Sequence, residues 1–190
     1  MKKPEQKELL ALARESIKRS LGVDSNEVID RIAQSLPHDF KQHLGVFVTI
    51  KKIEGEERTS LRGCIGNIIG KGPVWESILT LSREAAFHDP RFSPVRLDEL
   101  HDLIIEISLL TPPKPIESYR QIRLGEDGVI LTLGYNRAVF LPQVATEQGW
   151  TREELLDNLC LKAGLYNDSW RDPDCLLEVF QAEVFSEDEV

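Results

Sequence analysis

Cysteine, methionine and aromatic residues are scarce in this 190-residue chain, which has three cysteines, one methionine and 7% Phe, Trp and Tyr together. The cysteines, Cys64, Cys160 and Cys175, are odd in number, far apart and without a C-x-x-C spacing. Neither a disulfide framework nor a zinc knuckle is therefore expected. The four histidines, His38, His43, His88 and His101, show neither His-x₃-His nor His-Glu-x-x-His spacing, so no metal site is predicted. Nothing approaches the roughly 18 uninterrupted apolar residues of a membrane span. The segment MKKPEQKELLALARES is basic, but charges interrupt it and no small-residue cleavage site follows, so a secretory signal is not expected. The expectation is a cytoplasmic protein with reduced thiols and no membrane partner.

Blocks of positive charge are missing too, beyond Lys2-Lys3 and Lys51-Lys52. A general nucleic-acid binder needs a cationic surface to displace counterions, which disfavours that class. Helix 4–21, with Lys7, Arg14, Lys18 and Arg19, is the one candidate basic face. The net charge is −9, and six of the acids, Asp174, Glu178, Glu183, Glu187, Asp188 and Glu189, fall in residues 174–190 with no base among them. The other 173 residues hold 23 bases against 26 acids and are nearly balanced. Most of the acidity is thus expected on the last strand and a solvated end. Dinucleotide, phosphate-loop and serine-hydrolase signatures are absent as well; Gly63-Cys64-Ile65-Gly66 lacks the lysine and hydroxyl that would follow a phosphate loop.

What is present is a mixture of periods. Leu9, Ala13, Ile17 and Leu21 make one stripe of a helix over 4–21 that Gly22 ends. A second helix starts at the Asp24/Glu27 capping-box spacing, buries Val28, Ile29, Ile32, Ala33 and Leu36, and stops at Pro37. Alternation then predicts a strand through Val46, Val48 and Ile50, a turn at 54–57, and a return strand over 58–68. Its Gly63 and Gly66 call for a bulge or a close backbone approach. A helix runs from Pro73 to about Phe87, and the strand 103–110 turns Leu103, Ile105, Ile107 and Leu109 to one face and Ile104, Glu106, Ser108 and Leu110 to the other. Thr111-Pro112-Pro113-Lys114-Pro115 is a stiff extended linker. Strands at 129–133 and 138–141, a helix capped by Thr151 and Glu154 and stopped by Gly164, and a last strand at 176–185 complete the chain. The class is α+β, with mainly antiparallel sheet and flanking helices. One domain over 1–190 is expected, with sub-lobes near 1–110 and 116–190 sharing an interface, because 75 residues bury little core alone.

Three segments could carry chemistry. In Leu61-Arg62-Gly63-Cys64-Ile65-Gly66-Asn67, alternation puts Arg62 and Cys64 on one face, where a guanidinium favours the nucleophilic thiolate. The glycines leave room for a ligand or for another backbone, and the cysteine could equally be a packed core residue. In Phe87-His88-Asp89-Pro90-Arg91-Phe92-Ser93-Pro94, two prolines stiffen a loop in which Arg91 either offers a planar fork to an anion or closes on Asp89. Glu106, on a largely apolar strand, must be partnered, hydrated or in a cleft, and Arg62 or Arg91 is the economical partner.

Taken together, these segments resemble the AMMECR family, called AmmeMemoRadiSam system protein A in many prokaryotes. The residues that carry the likeness are Leu61-Arg62-Gly63-Cys64-Ile65-Gly66, Asp89-Pro90-Arg91-Phe92, Glu106-x-Ser108, Leu141-Pro142-Gln143-Val144-Ala145, Gly149-Trp150, Leu159-Cys160-x-Lys162-Ala163-Gly164-Leu165 and Phe185-x-Glu187. Asp127-Gly128 departs from the family's usual His-Gly. The resemblance implies two lobes with a groove between them, and a pathway shared with Memo-like and radical SAM proteins. It implies no settled reaction and no known cofactor. The expected function is an enzyme or accessory subunit binding a small anionic ligand. Cys64, Glu106 and Asp89 are the candidate catalytic residues, and Arg62, Arg91, Gly63 and Gly66 the candidate ligand-binding ones. The alternative is a non-catalytic module that docks a protein partner.

Overall fold

A computed structural model describes residues 1–35, 44–55 and 58–190 of the chain. Leu36, Pro37, His38, His43, Glu56 and Glu57, which figure in the expectations above, lie outside the described residues. Two compact units result, one of Met1–Leu109 with Glu183–Val190 and one of Leu110–Ala182. Among the described residues, no helix is long and apolar enough to cross a membrane.

The first unit is built on the antiparallel hairpin of β1 (Gly45–Ile53) and β2 (Thr59–Asn67). With β3 (Leu103–Leu110) and β8 (Ala182–Ser186) it forms a four-stranded antiparallel sheet in the order β2-β1-β3-β8. Period-two alternation turns Val46, Val48, Ile50, Leu103, Ile105 and Ile107 into the core. There they meet the apolar stripes of α1 (Lys3–Ser20), which buries Leu9, Leu12, Ala13 and Ile17, and α3 (Val74–Phe87), which buries Ile78, Leu81 and Ala85. The second helix, α2 (Asn26–Ser35), buries Ile29 and Ile32. Thr49, Lys51, Glu106 and Ser108 consequently lie on the face of the sheet turned away from these helices.

The second unit holds β4 (Lys114–Pro115), β5 (Gly128–Leu133), β6 (Asn136–Phe140) and β7 (Leu176–Phe180) in the order β4-β7-β5-β6. Its core joins Val129 and Leu131 to Leu155, Leu156, Leu159 and Cys160 of α5 (Arg152–Lys162). Part of the proline linker is therefore a strand, Lys114 facing Val179 and Pro115 facing Glu178. Pro115 fits because β4 is an edge, where a missing N–H breaks no inner ladder. The short helix α4 (Gln143–Gln148), for which no element was expected, ends on Gly149 at φ +66°. Thr151 caps α5 as the capping-box spacing predicts, its hydroxyl accepting from the Glu154 N–H at 3.2 Å.

The single strand expected over 176–185 is two, divided at Gln181, and its second half pairs in the first sheet as β8. The acidic end is only partly solvated. Glu183 accepts from the terminal amine of Met1 at 3.0 Å, and Glu187 takes a two-pronged contact from Arg14 at 2.6 and 2.5 Å while accepting the Ile105 N–H at 2.8 Å. Arg14 also donates to the carbonyls of Leu100 and Leu103. It is therefore committed within the unit, as Lys18 is to Glu15 at 2.7 Å. Replacing Glu187 with alanine strands a guanidinium and a strand N–H, both partly shielded. The expected loss is about 2 kcal/mol of unfolding free energy, measured by urea denaturation.

Candidate functional site around Cys64

The register of the β1–β2 hairpin fixes the site. Ile50 faces Gly63 and Lys51 faces Leu61, so Arg62 is an extra residue, a β-bulge at the edge of the sheet. Alternation through 61–65 is broken there, and Arg62 does not share a side with Cys64. Its guanidinium instead turns to the loop after α3, forking onto Glu99 at 3.2 and 3.2 Å and reaching the carbonyls of Ser93 at 2.8 Å and Pro94 at 3.4 Å. Arg62 holds the Glu99 carboxyl below its usual range, against the opposing effect of burial. With its donors spent in this way and its side chain only 11% exposed, Arg62 fastens a loop.

Cys64 lies across from Thr49, whose hydroxyl donates to Sγ at 3.3 Å. Its own backbone points out of the sheet edge and is met by the Asp89–Arg91 pair. The Cys64 N–H donates to Asp89 Oδ2 at 2.9 Å, and Arg91 Nη2 donates to the Cys64 carbonyl at 3.3 Å. Arg91 closes on the same carboxylate three more times, from its backbone N–H at 3.1 Å, from Nε at 3.0 Å and from Nη2 at 2.7 Å. An acidic and a basic side chain thus occupy the donor and acceptor that a further strand would take, which blunts the edge of the sheet. Asp89 is 4% exposed. The Arg91 guanidinium, helped by the Cys64 and Arg91 amides and opposed by burial, holds its carboxyl well below the usual carboxylate range. Each oxygen accepts two of the four hydrogen bonds, so protonating the carboxylate in the folded chain would break at least one of them.

Gly63 and Gly66 are indeed places of close approach, and the space beside each is filled by the protein itself. A Cβ on Gly63 would collide with the Ala85 carbonyl of α3, and one on Gly66 with the Phe47 ring and, at 2.6 Å, the Val46 carbonyl. Glu106 pairs with Lys51, Nζ to Oε2 at 2.7 Å, rather than with either arginine. Lys51 follows Thr49 by two residues on the same face, so the Lys51–Glu106 and Thr49–Cys64 pairs are neighbours.

The structure therefore brings Cys64, Asp89 and Arg91 together, sets Glu106 nearby and directs Arg62 elsewhere. Thr49 and Lys51 were missed as members of the site; their alternation on β1 carried the signal, but only the register shows what they face. Asp127, where the resemblance leads to the expectation of a histidine, is 5% exposed and bound by Arg123 at 2.7, 3.0 and 3.1 Å. Burial raises its carboxyl, and the Arg123 contacts outweigh that and lower it. The acid here closes a turn. Among the described residues, no group of three or more His, Cys, Asp or Glu is placed to hold a metal ion.

The profile of the AMMECR1 family matches residues 10–185. A protein from Methanothermobacter thermautotrophicus is 41% identical over 194 residues, covering 99% of this chain and 97% of its own. Another, from Thermococcus gammatolerans, is 40% identical over 185 residues, covering 95% and 89%. The crystal structure of the uncharacterized protein PH0010 from Pyrococcus horikoshii is similar with a TM-score of 0.84 at 36% identity, covering 100% of this chain and 94% of that one. Motif, fold and extended identity agree, and the chain belongs to the AMMECR1 family.

Proposed function

We propose that the corner formed by Cys64 and Arg91 binds a small anionic ligand and that Cys64 is the thiol that reacts with it. The chain would then be an enzyme, or an accessory subunit of one, in a pathway with Memo-like and radical SAM proteins. The observation that carries this reading is the state of Arg91. Its side chain is 54% exposed, yet Asp89 and the Cys64 carbonyl fix Nε and Nη2, and among the described residues Nη1 has no hydrogen-bond partner. A guanidinium held still with one edge free is preorganised for an anion, because little side-chain entropy remains to be lost. Asp89 in this reading is a positioning residue, and the charged Lys51–Glu106 pair supplies the group that exchanges a proton.

The test compares two alkylating reagents of one size, anionic iodoacetate and neutral iodoacetamide, with peptide-resolved mass spectrometry. Native Cys64 should favour iodoacetate several-fold more than a free thiol does. Arg91→Gln should abolish that preference, and Arg91→Lys should restore part of it. A Cys64 that reacts only after denaturation, or with a preference indifferent to Arg91, sinks the proposal. It would leave the partner-docking module as the reading of this motif.

A further inference from the structure

The second unit contains a cavity of about 430 Å³ that the Cys64 corner does not involve. It lies between the turn over 116–121, the turn over 169–173 and the start of β7. Each wall is fixed by contacts within the unit. Gln121 Oε1 accepts the Glu117 and Ser118 N–H groups at 2.9 and 3.1 Å, the Ile116 N–H donates to the Leu177 carbonyl at 3.0 Å, and Trp170 Nε1 donates to Asp157 at 2.7 Å. A volume in the usual range of small-molecule sites, with walls tied down by such contacts, is what a preformed pocket requires.

The lining has two parts. Tyr119 and Trp170, with ring centroids 4.9 Å apart, join Ile116 and Leu177 in an apolar surface. The rim carries both signs of charge. Arg171 stacks its guanidinium 4.1 Å over Trp170 and, among the described residues, pairs with no carboxylate, while Glu117 and Asp172 supply two acids. Arg120 stands over the Tyr119 ring at 5.9 Å but outside the lining, so within the cavity a phosphate dianion would meet two carboxylates against one guanidinium, and a plain amine would leave Arg171 unanswered. A ligand that carries one charge of each sign answers both.

We propose that this cavity binds a small zwitterion with an apolar or aromatic side chain, the chemistry of a free α-amino acid. Its carboxylate lies on Arg171, its ammonium toward Glu117 and Asp172, and its side chain against Tyr119, Ile116 and Leu177. Cys175 also lines the cavity, but burial pushes its thiol up to about 11, which leaves it a wall rather than a nucleophile at neutral pH.

The test is a titration of the ¹⁵N-labelled full chain with phenylalanine and with leucine, beside phenylethylamine and 3-phenylpropionate, which each lack one charge. Saturable amide shifts should concentrate in 116–121 and 169–177, with both single-charge analogues at least about tenfold weaker than phenylalanine. Arg171→Gln should weaken phenylalanine by about tenfold or more and should not weaken phenylethylamine. Arg171 is on the surface, so thermal unfolding should show the variant folded; the analogue series on the native chain decides the matter even where the variant fails. No saturable shift with either amino acid, shifts centred elsewhere, or equal binding of the analogues would overturn the proposal.

Discussion

Replacing Asp89 with asparagine should lower the unfolding free energy by about 3 kcal/mol, the larger part of it from groups left facing one another without an acceptor. Four hydrogen bonds converge on the Asp89 carboxylate, and every one comes from a donor. An amide offers one oxygen and an NH₂, so whichever way it is turned, a donor meets Arg91 or the Cys64 N–H. Because Asp89 is buried, water does not fill the gap cheaply. The pH dependence separates this account from a general loss of packing. The folded-state carboxyl is held down chiefly by Arg91, so below an ordinary pKa near ~4 the unfolded chain takes up a proton before the folded one does. The contribution of Asp89 is therefore complete above about pH 5 and shrinks as the pH falls below about 4 toward the folded value. Denaturant curves for both proteins should run parallel above about pH 5 and converge in acid. A gap that stays constant into strong acid, or one below about 1 kcal/mol, would mean that Arg62 and the Val95–Ala86 backbone bond hold the loop without Asp89.

How much of this was legible depends on what each inference needed. The two prolines around Asp89 and Arg91 announce a stiff loop, and that loop is the one that meets Cys64. Gly63 and Gly66 announce a bulge or a close approach, because glycine otherwise weakens a strand, and the structure has both close approaches and a bulge next to Gly63. The shared side of Arg62 and Cys64 was illegible, since alternation is valid only between bulges and the extra residue is Arg62 itself. The partner of Glu106 was illegible for another reason. Lys51 reaches it because β1 and β3 are neighbours in the sheet, and strand order is a long-range property that no local pattern encodes. The division at Gln181 carries no Gly or Pro, so an apolar run reads as one strand where the chain passes from one sheet to another. Glu187 looked like a solvated tail because acids at a chain end usually are; its use became visible only with Arg14, distant in sequence, in place beside it.

Gly63→Ala is expected to rival Asp89→Asn in size, and it acts on the helix-covered face of the same strand rather than at its edge. The new methyl group would be driven into the carbonyl of Ala85, and that oxygen is backbone in the last turn of α3, with no rotamer to escape into. Either β2 lifts away from the helix or the helix gives way, and both Ile50, opposite Gly63, and Ala85 are core residues. A loss of about 3 kcal/mol is expected, at the upper end of what overpacking usually costs. Gly66→Ala should cost less, because the nearest obstacle is the half-buried Phe47 side chain, which can swing aside about its Cα–Cβ bond, although the Val46 carbonyl behind it cannot move. Gly72→Ala is the control: its Cβ would meet only the Glu76 carboxylate at 3.8 Å, and its stability should stay within about 0.5 kcal/mol of the parent. The order Gly63, Gly66, Gly72 is the quantity to measure by chemical denaturation. A displaced β2 must also carry Cys64 with it, out of line with Thr49 and the Asp89–Arg91 pair. Gly63→Ala should therefore change the iodoacetate preference of Cys64 under conditions where the chain is still folded. If stability falls while that preference is untouched, Gly63 serves the core alone, and the Arg91 corner is held from the loop side rather than by the strand.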